Sequence, residues 1–137
     1  MLRRDLCLAD EPAIRLVVAQ AGLACCTVEV DAAVADGLLV SAPDAPAGPV
    51  LLLVAGTITE PLVPALRALA GSLPPGSRAV AFGACATSGG PYWDAPMVVN
   101  GVDEVTGLPA VAAYVPGCPP SPAALIAALR ELAGPAA

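Results

Sequence analysis

Six consecutive apolar residues, Val50-Leu51-Leu52-Leu53-Val54-Ala55, stand between Pro49 and Gly56. No apolar run in the chain approaches the about 20 residues that a helix needs to cross a bilayer. A short run closed by proline and glycine fits a buried strand instead. The fold has to be built around it.

Other segments fall in step with that strand. Residues 13–19 read either as a first strand or as the end of a leading helix. Val28 to Ala35 is a short helix candidate, and Gly37 to Ser41 a strand. A loop rich in proline and glycine, Ala42 to Pro49, leads into the apolar run. Thr59 to Ala70 reads as a helix, with Thr59 as N-cap, Pro61 in the first turn and Leu62, Leu66 and Leu69 on one face. Gly71 and Pro74-Pro75-Gly76 end it. Arg78 to Gly83 and Ala112 to Val115 are further strands. Pro122 to Leu132 closes the chain as a helix with Leu125, Leu129 and Leu132 on one stripe. Strands alternating with helices predict an α/β domain of three layers, a mostly parallel sheet with helices on its faces. The 137 residues suit a single domain. Residues 1–12 and 134–137 read as flexible ends.

Composition narrows the function. Hydrophobic residues make up 57% and charged residues 13%, more apolar surface than a lone soluble domain hides, which points to a subunit docked against others. A net charge of −6 with few aromatics argues against nucleic-acid binding. The absence of histidine removes His-based acid–base catalysis, Ser-His and Cys-His nucleophiles, and His-ligated metals. An autonomous enzyme built on a reactive cysteine is disfavoured for the same reason. Arg3-Arg4 is followed by no sustained apolar segment, so the start does not read as a signal peptide. Five cysteines without a secretion signal indicate a reducing compartment, where thiols serve metals or redox chemistry more often than disulfides.

Cys25 and Cys26 are adjacent, a geometry that rarely permits a disulfide between the two. Three uses remain: disulfides to other cysteines, burial as small hydrophobes, or donation of two thiolates to one metal centre. Cys85 follows the Arg78 strand through Gly83-Ala84, and Cys118 follows the last strand through Pro116-Gly117. Both are expected at the carboxyl edge of the sheet, where α/β domains hold ligands. Gly56-Thr57, after the apolar run, is expected on that edge too. An all-thiolate set selects zinc or an iron–sulfur cluster. The paired Cys-x(2–4)-Cys knuckles of structural zinc are absent, so dispersed ligands around a [4Fe-4S] cluster fit better, with zinc and simple burial as alternatives. Cys7, in a polar terminal stretch, reads as a bystander.

Four blocks carry a resemblance. Gly22-Leu23-Ala24-Cys25-Cys26-Thr27-Val28-Glu29, Val54-Ala55-Gly56-Thr57-Ile58-Thr59, Gly83-Ala84-Cys85-Ala86-Thr87-Ser88-Gly89-Gly90-Pro91-Tyr92 and Tyr114-Val115-Pro116-Gly117-Cys118-Pro119-Pro120-Ser121-Pro122 resemble, in that order, the B-type subunit of the proton-pumping NADH–quinone oxidoreductase (respiratory complex I). Gly101-Val102-Asp103 fits the short segment between the last two. The resemblance implies a partial flavodoxin-like fold shared with the small subunit of [NiFe] hydrogenases. It implies that Cys25, Cys26, Cys85 and Cys118 bind one [4Fe-4S] cluster, with Glu29, Gly56 and Thr57 close enough to tune it. It further implies electron relay to quinone at the interface with a large, hydrogenase-large-subunit-like subunit, on the cytoplasmic face of the membrane and without a transmembrane segment.

The chain departs from that family after the cysteine pair. An Arg-Tyr-Asp element and a basic loop are replaced by Val30-Asp31-Ala32-Ala33-Val34-Ala35-Asp36-Gly37 and the proline-rich loop. The lysine-containing turn after the Gly-Thr block is Glu60-Pro61-Leu62-Val63-Pro64. These changes bring in two alternatives: the small subunit of a membrane-bound, energy-converting [NiFe] hydrogenase, and a structural zinc or apo interaction domain. The adjacent pair, where such hydrogenase subunits carry Cys-x-x-Cys, favours the complex I type.

Overall fold

The computed structural model describes residues 2–21, 25–42, 44–46 and 48–132. Part of the cysteine-pair motif (residues 22–24), positions 43 and 47 of the proline-rich loop, and the tail from residue 133 lie outside the described residues. Among the described residues six strands form one sheet: β1 (Leu2–Leu8), β2 (Arg15–Gln20), β3 (Leu39–Ser41), β4 (Leu51–Ala55), β5 (Arg78–Phe82) and β6 (Val111–Val115). Their spatial order is β3-β1-β2-β4-β5-β6. The pairs β2–β4, β4–β5 and β5–β6 are parallel, and β1 runs antiparallel to both of its neighbours. The helices are α1 (Cys25–Ala35), α2 (Val63–Gly71), the short α3 (Ala84–Ser88) and α4 (Pro122–Leu132).

The apolar run is buried along its whole length because it lies between β2 and β5 with helices over both faces. Side chains alternate across a pleat. Leu51, Leu53 and Ala55 accordingly join one core with Val30 and Ala33 of α1 and Leu125 and Leu129 of α4. Leu52 and Val54 join a second core with Leu66, Leu69 and Ala70 of α2. The sheet is the middle layer of three. β4 needs apolar residues at every position because both of its faces are covered.

The first helix, read from Val28, begins at Cys25 and so includes both cysteines, and the sequence reading and the structure differ further in two places. Residues 1–12, expected to be loose, supply β1, which lies between β2 and β3. Leu6 and Leu8 enter the α1/α4 core, and Cys7 between them is also buried. The polar residues of this strand find partners: Arg3 pairs with Asp5 (3.1 Å), and Arg4 pairs with Asp31 on α1. The helix expected from Thr59 begins instead as a 3₁₀ turn, Glu60–Leu62, and becomes α-helical at Val63. Thr59 is extended (φ −115°, ψ 155°), makes no side-chain cap and bridges to Val98. Pro61 and Pro64 carry no N–H, so two of the donors that a cap would satisfy do not exist. At α4 the capping oxygen is Ser121 Oγ, which accepts from the Ala124 N–H at 3.1 Å.

Candidate functional site

Four parallel strands end on one edge, and four turns leave from it. The β2 end leads into α1, whose first residues are Cys25 and Cys26. The β4 end leads to Gly56-Thr57, the β5 end to Gly83-Ala84-Cys85 and the β6 end to Pro116-Gly117-Cys118. Hydrogen bonds tie these turns together. The Ala21 N–H donates to the Ala55 carbonyl (2.9 Å), the Gly83 N–H to Val115 (2.8 Å) and the Ala84 N–H to Gly117 (2.8 Å). The last bond joins the turn of Cys85 to the turn of Cys118.

Between these turns lies a cavity of about 510 Å³, lined by Cys25, Cys85, Cys118, Thr57, Pro91, Tyr92, Ala95 and Val98. Cys25 and Cys118 are exposed and Cys85 is buried. Cys26 is 1% exposed and belongs to the α1/α4 core. Its sulfur rests against the turn of Gly83, where an added Cβ would overlap it. Gly83 also has φ +93°, a region that side chains with a Cβ rarely adopt. Gly117 (φ +142°) is bound in the same way, since a Cβ there would meet the Pro120 backbone at 2.6 Å.

All five cysteines are free thiols. Burial first, and then the neighbouring Cys25, Cys85 and Cys118, push the Cys26 thiol up to about 12. A soft cationic centre would relieve this opposition to the Cys26 thiolate, because metal ligation requires the thiolate. One zinc at about 2.3 Å from four tetrahedral sulfurs would hold them about 3.8 Å apart. Among the described residues, no group of three or more Cys, Asp or Glu side chains is placed to hold a single ion.

Of the other residues the sequence singles out, Thr57 lines the cavity, while Gly56 is buried in the turn just before it. Glu29 is half-buried on α1, one turn beyond Cys25, and is not among the lining residues. Cys7 lies on β1, away from the cavity wall. Sequence reasoning reached Pro91 and Tyr92 only as the end of the block that begins at Gly83, and missed Ala95 and Val98. They belong to an aperiodic stretch whose only signal is its Gly89-Gly90-Pro91 turn. The structure folds this stretch back by a Thr59–Val98 bridge and by bonds from the Glu60 N–H to Met97 (2.8 Å) and from the Val99 N–H to Ile58 (2.9 Å). Tyr92, Trp93 and Met97 are left exposed beside the cavity mouth, at 53%, 62% and 54%.

Fold and site together define a class: three-layer α/β domains that gather thiols from several strand ends around one open cavity. The chain belongs to the family described as NADH ubiquinone oxidoreductase, 20 Kd subunit, which matches it over residues 11–132. It is 41% identical over 118 residues to the second B-type subunit of the NADH-quinone oxidoreductase of Streptomyces griseus, covering 81% of this chain and 48% of that protein. It is 39% identical over 118 residues to the first B-type subunit of the NADH-quinone oxidoreductase of Salinispora tropica, covering 81% of this chain and 61% of that protein. The chain thus spans between 48% and 61% of the length of these relatives. Its fold also matches a chain in the structure of the membrane-bound sulfane sulfur reductase, an archaeal respiratory membrane complex. That match has a TM-score of 0.61 at 23% identity and covers 84% of this chain and 67% of the other.

Proposed function

We propose that the chain is an electron-transfer subunit of a membrane-associated NADH–quinone oxidoreductase-like complex, holding one [4Fe-4S] cluster on Cys25, Cys26, Cys85 and Cys118. The observation that carries this reading is the convergence of Cys25, Cys85 and Cys118 on one cavity, with the Cys26 sulfur against the Gly83 turn behind them. A cluster takes each thiolate on a different iron, so its ligands can stand further apart than those of one ion. When bound, it supplies reversible one-electron storage.

The chain's own residues do the rest. Cys26 holds its side of the site from within the core, and Cys85 closes the floor from a turn bonded to that of Cys118. Pro91, Ala95 and Val98 give one side of the cavity an apolar wall, and the Thr57 hydroxyl can donate to one of the sulfurs. Glu29, one turn beyond Cys25 on α1, would add a negative charge near a bound cluster and so lower its potential. The exposed Tyr92, Trp93 and Met97 supply apolar surface for the large subunit, and quinone accepts the electron at that interface. Among the described residues no helix is long and apolar enough to cross a membrane. Attachment would be peripheral, on the cytoplasmic face.

The test is metal and sulfide analysis of the anaerobically isolated complex, with low-temperature EPR after reduction. About four iron and about four sulfide per chain are expected, and Cys85→Ser should remove them. One zinc per chain without sulfide, or an unchanged EPR signal in Cys85→Ser, would sink the proposal.

A further inference from the structure

The opposite edge of the sheet carries a second cavity, of about 180 Å³, whose rim includes Arg15, Arg78, Pro49, Val50 and Leu132. It lies at the amino ends of β2, β4 and β5, a five-residue strand or about 17 Å from the cysteines. The chain's six cations are all arginines. Arg3, Arg4 and Arg130 pair with Asp5, Asp31 and Asp10. Arg67 donates from Nε and Nη2 to the Thr106 carbonyl and hydroxyl, both at 2.7 Å.

Arg15 and Arg78 differ from these four. Each donates one bond to a main-chain oxygen, that of Asp44 and that of Leu132 (3.4 Å) respectively, and among the described residues neither has a carboxylate within 4 Å. A guanidinium has five N–H groups, so most of their donors remain available. Twelve carboxylates against six arginines make an ion-paired arginine the easy outcome here. Two arginines without one, on one cavity, are a departure from it. Arg15 shares the sheet face of Val17 and Arg78 that of Val80, and these valines belong to opposite cores. The two guanidiniums therefore reach the rim from opposite sides, over apolar walls.

We propose that this cavity binds a phosphate-class oxyanion bridged between Arg15 and Arg78, with any ester substituent lying along Pro49, Val50 and Leu132. Two cations approaching from opposite sides need an anion with acceptors on both sides. A tetrahedral oxyanion provides them, whereas a planar carboxylate presents its two oxygens along one edge. The phosphate can come from a soluble phosphate or from a phospholipid headgroup.

Calorimetric titration of the full chain with inorganic phosphate at low salt tests the first source. Sedimentation with vesicles of phosphatidylglycerol and phosphatidylcholine, against phosphatidylcholine alone, tests the second. Loss of a charge-assisted contact weakens binding about tenfold. Arg15→Gln and Arg78→Gln should each do this, and the double variant should abolish binding. Arg3→Gln, an equal change in net charge on an exposed ion pair, should leave it intact. Should a glutamine variant fail to fold, Arg15→Lys/Arg78→Lys keeps the charge and removes the fork, and is expected to weaken binding as well. Phosphate binding lost in the double variant supports the site with a soluble ligand. Vesicle binding alone, lost in the same variant, supports it with a lipid ligand. No binding of either probe, binding that survives the double variant, or equal loss in Arg3→Gln overturns it.

Discussion

The centre of the sheet and its carboxyl edge are built on different principles. In β4 every residue is buried, and its identity is set by apolar volume shared with several neighbours. At the edge, a few atoms decide the arrangement: the missing Cβ of Gly83 beside the Cys26 sulfur, that of Gly117 beside Pro120, and the amide bond from Ala84 to Gly117. The centre is redundant and the edge is not. Substitution at the centre should therefore lower stability while leaving the site's composition intact, and substitution at the edge should damage both.

Gly83→Ala should have the largest effect. It places a methyl group on the Cys26 sulfur at a backbone φ of +93°, so strain and overpacking together should cost about 3 kcal/mol or more. Iron per chain should fall with it. Urea denaturation and iron analysis of the same preparation check this, and retained iron at full stability would break the comparison. Leu53→Ala, in a fully buried side chain, should cost about 2–5 kcal/mol. Iron per folded chain should stay at the wild-type value, and a proportionate loss of iron would show that centre and edge are not separable.

Thr57→Val sharpens the contrast within the edge. Thr57 lines the cavity, and losing its hydroxyl as a donor to the sulfurs should move the midpoint potential downward without changing iron content. Redox titration followed by EPR would read it. The smallest effect is expected at the surface pair Arg130–Asp10 (2.8 Å). The Arg130 guanidinium holds the Asp10 carboxyl below its usual range. What the pair contributes is thus present above the ordinary carboxylate pKa and fades as pH falls through the lowered one. Asp10→Asn should lower the denaturation midpoint slightly at pH 7, leave it unchanged in acid, and so flatten the acid limb of the stability profile.

Legibility in the sequence follows the same division. Leu51–Ala55 and Pro122–Leu132 can be read directly because burial on two faces, or on one helical stripe, leaves a periodic trace. β1 cannot, because Leu2-Arg3-Arg4-Asp5-Leu6-Cys7-Leu8 becomes a strand only through its neighbours β2 and β3 and through the pairing of Arg4 with Asp31. The turns holding Cys85 and Cys118 are marked by glycine and by the strands before them. The wall of Pro91, Tyr92, Ala95 and Val98 depends on a fold-back bridge between residues 59 and 98, which leaves no local pattern.

The antiparallel direction of β1 bears on the order in which the chain acquires its structure. A parallel neighbour must be fetched across a helical crossover, whereas β1 and β2 are joined by a loop of only six residues, 9–14. Short loops close with little entropic penalty, so local pairings form early and distant ones wait. This hairpin needs no crossover, and it can offer a ready edge to β4 before the second half of the chain arrives. Pulse-labelled hydrogen exchange during refolding should then find amides of residues 2–8 and 15–20 protected ahead of those in β5 and β6. Simultaneous protection of all these strands would argue that the hairpin has no such lead.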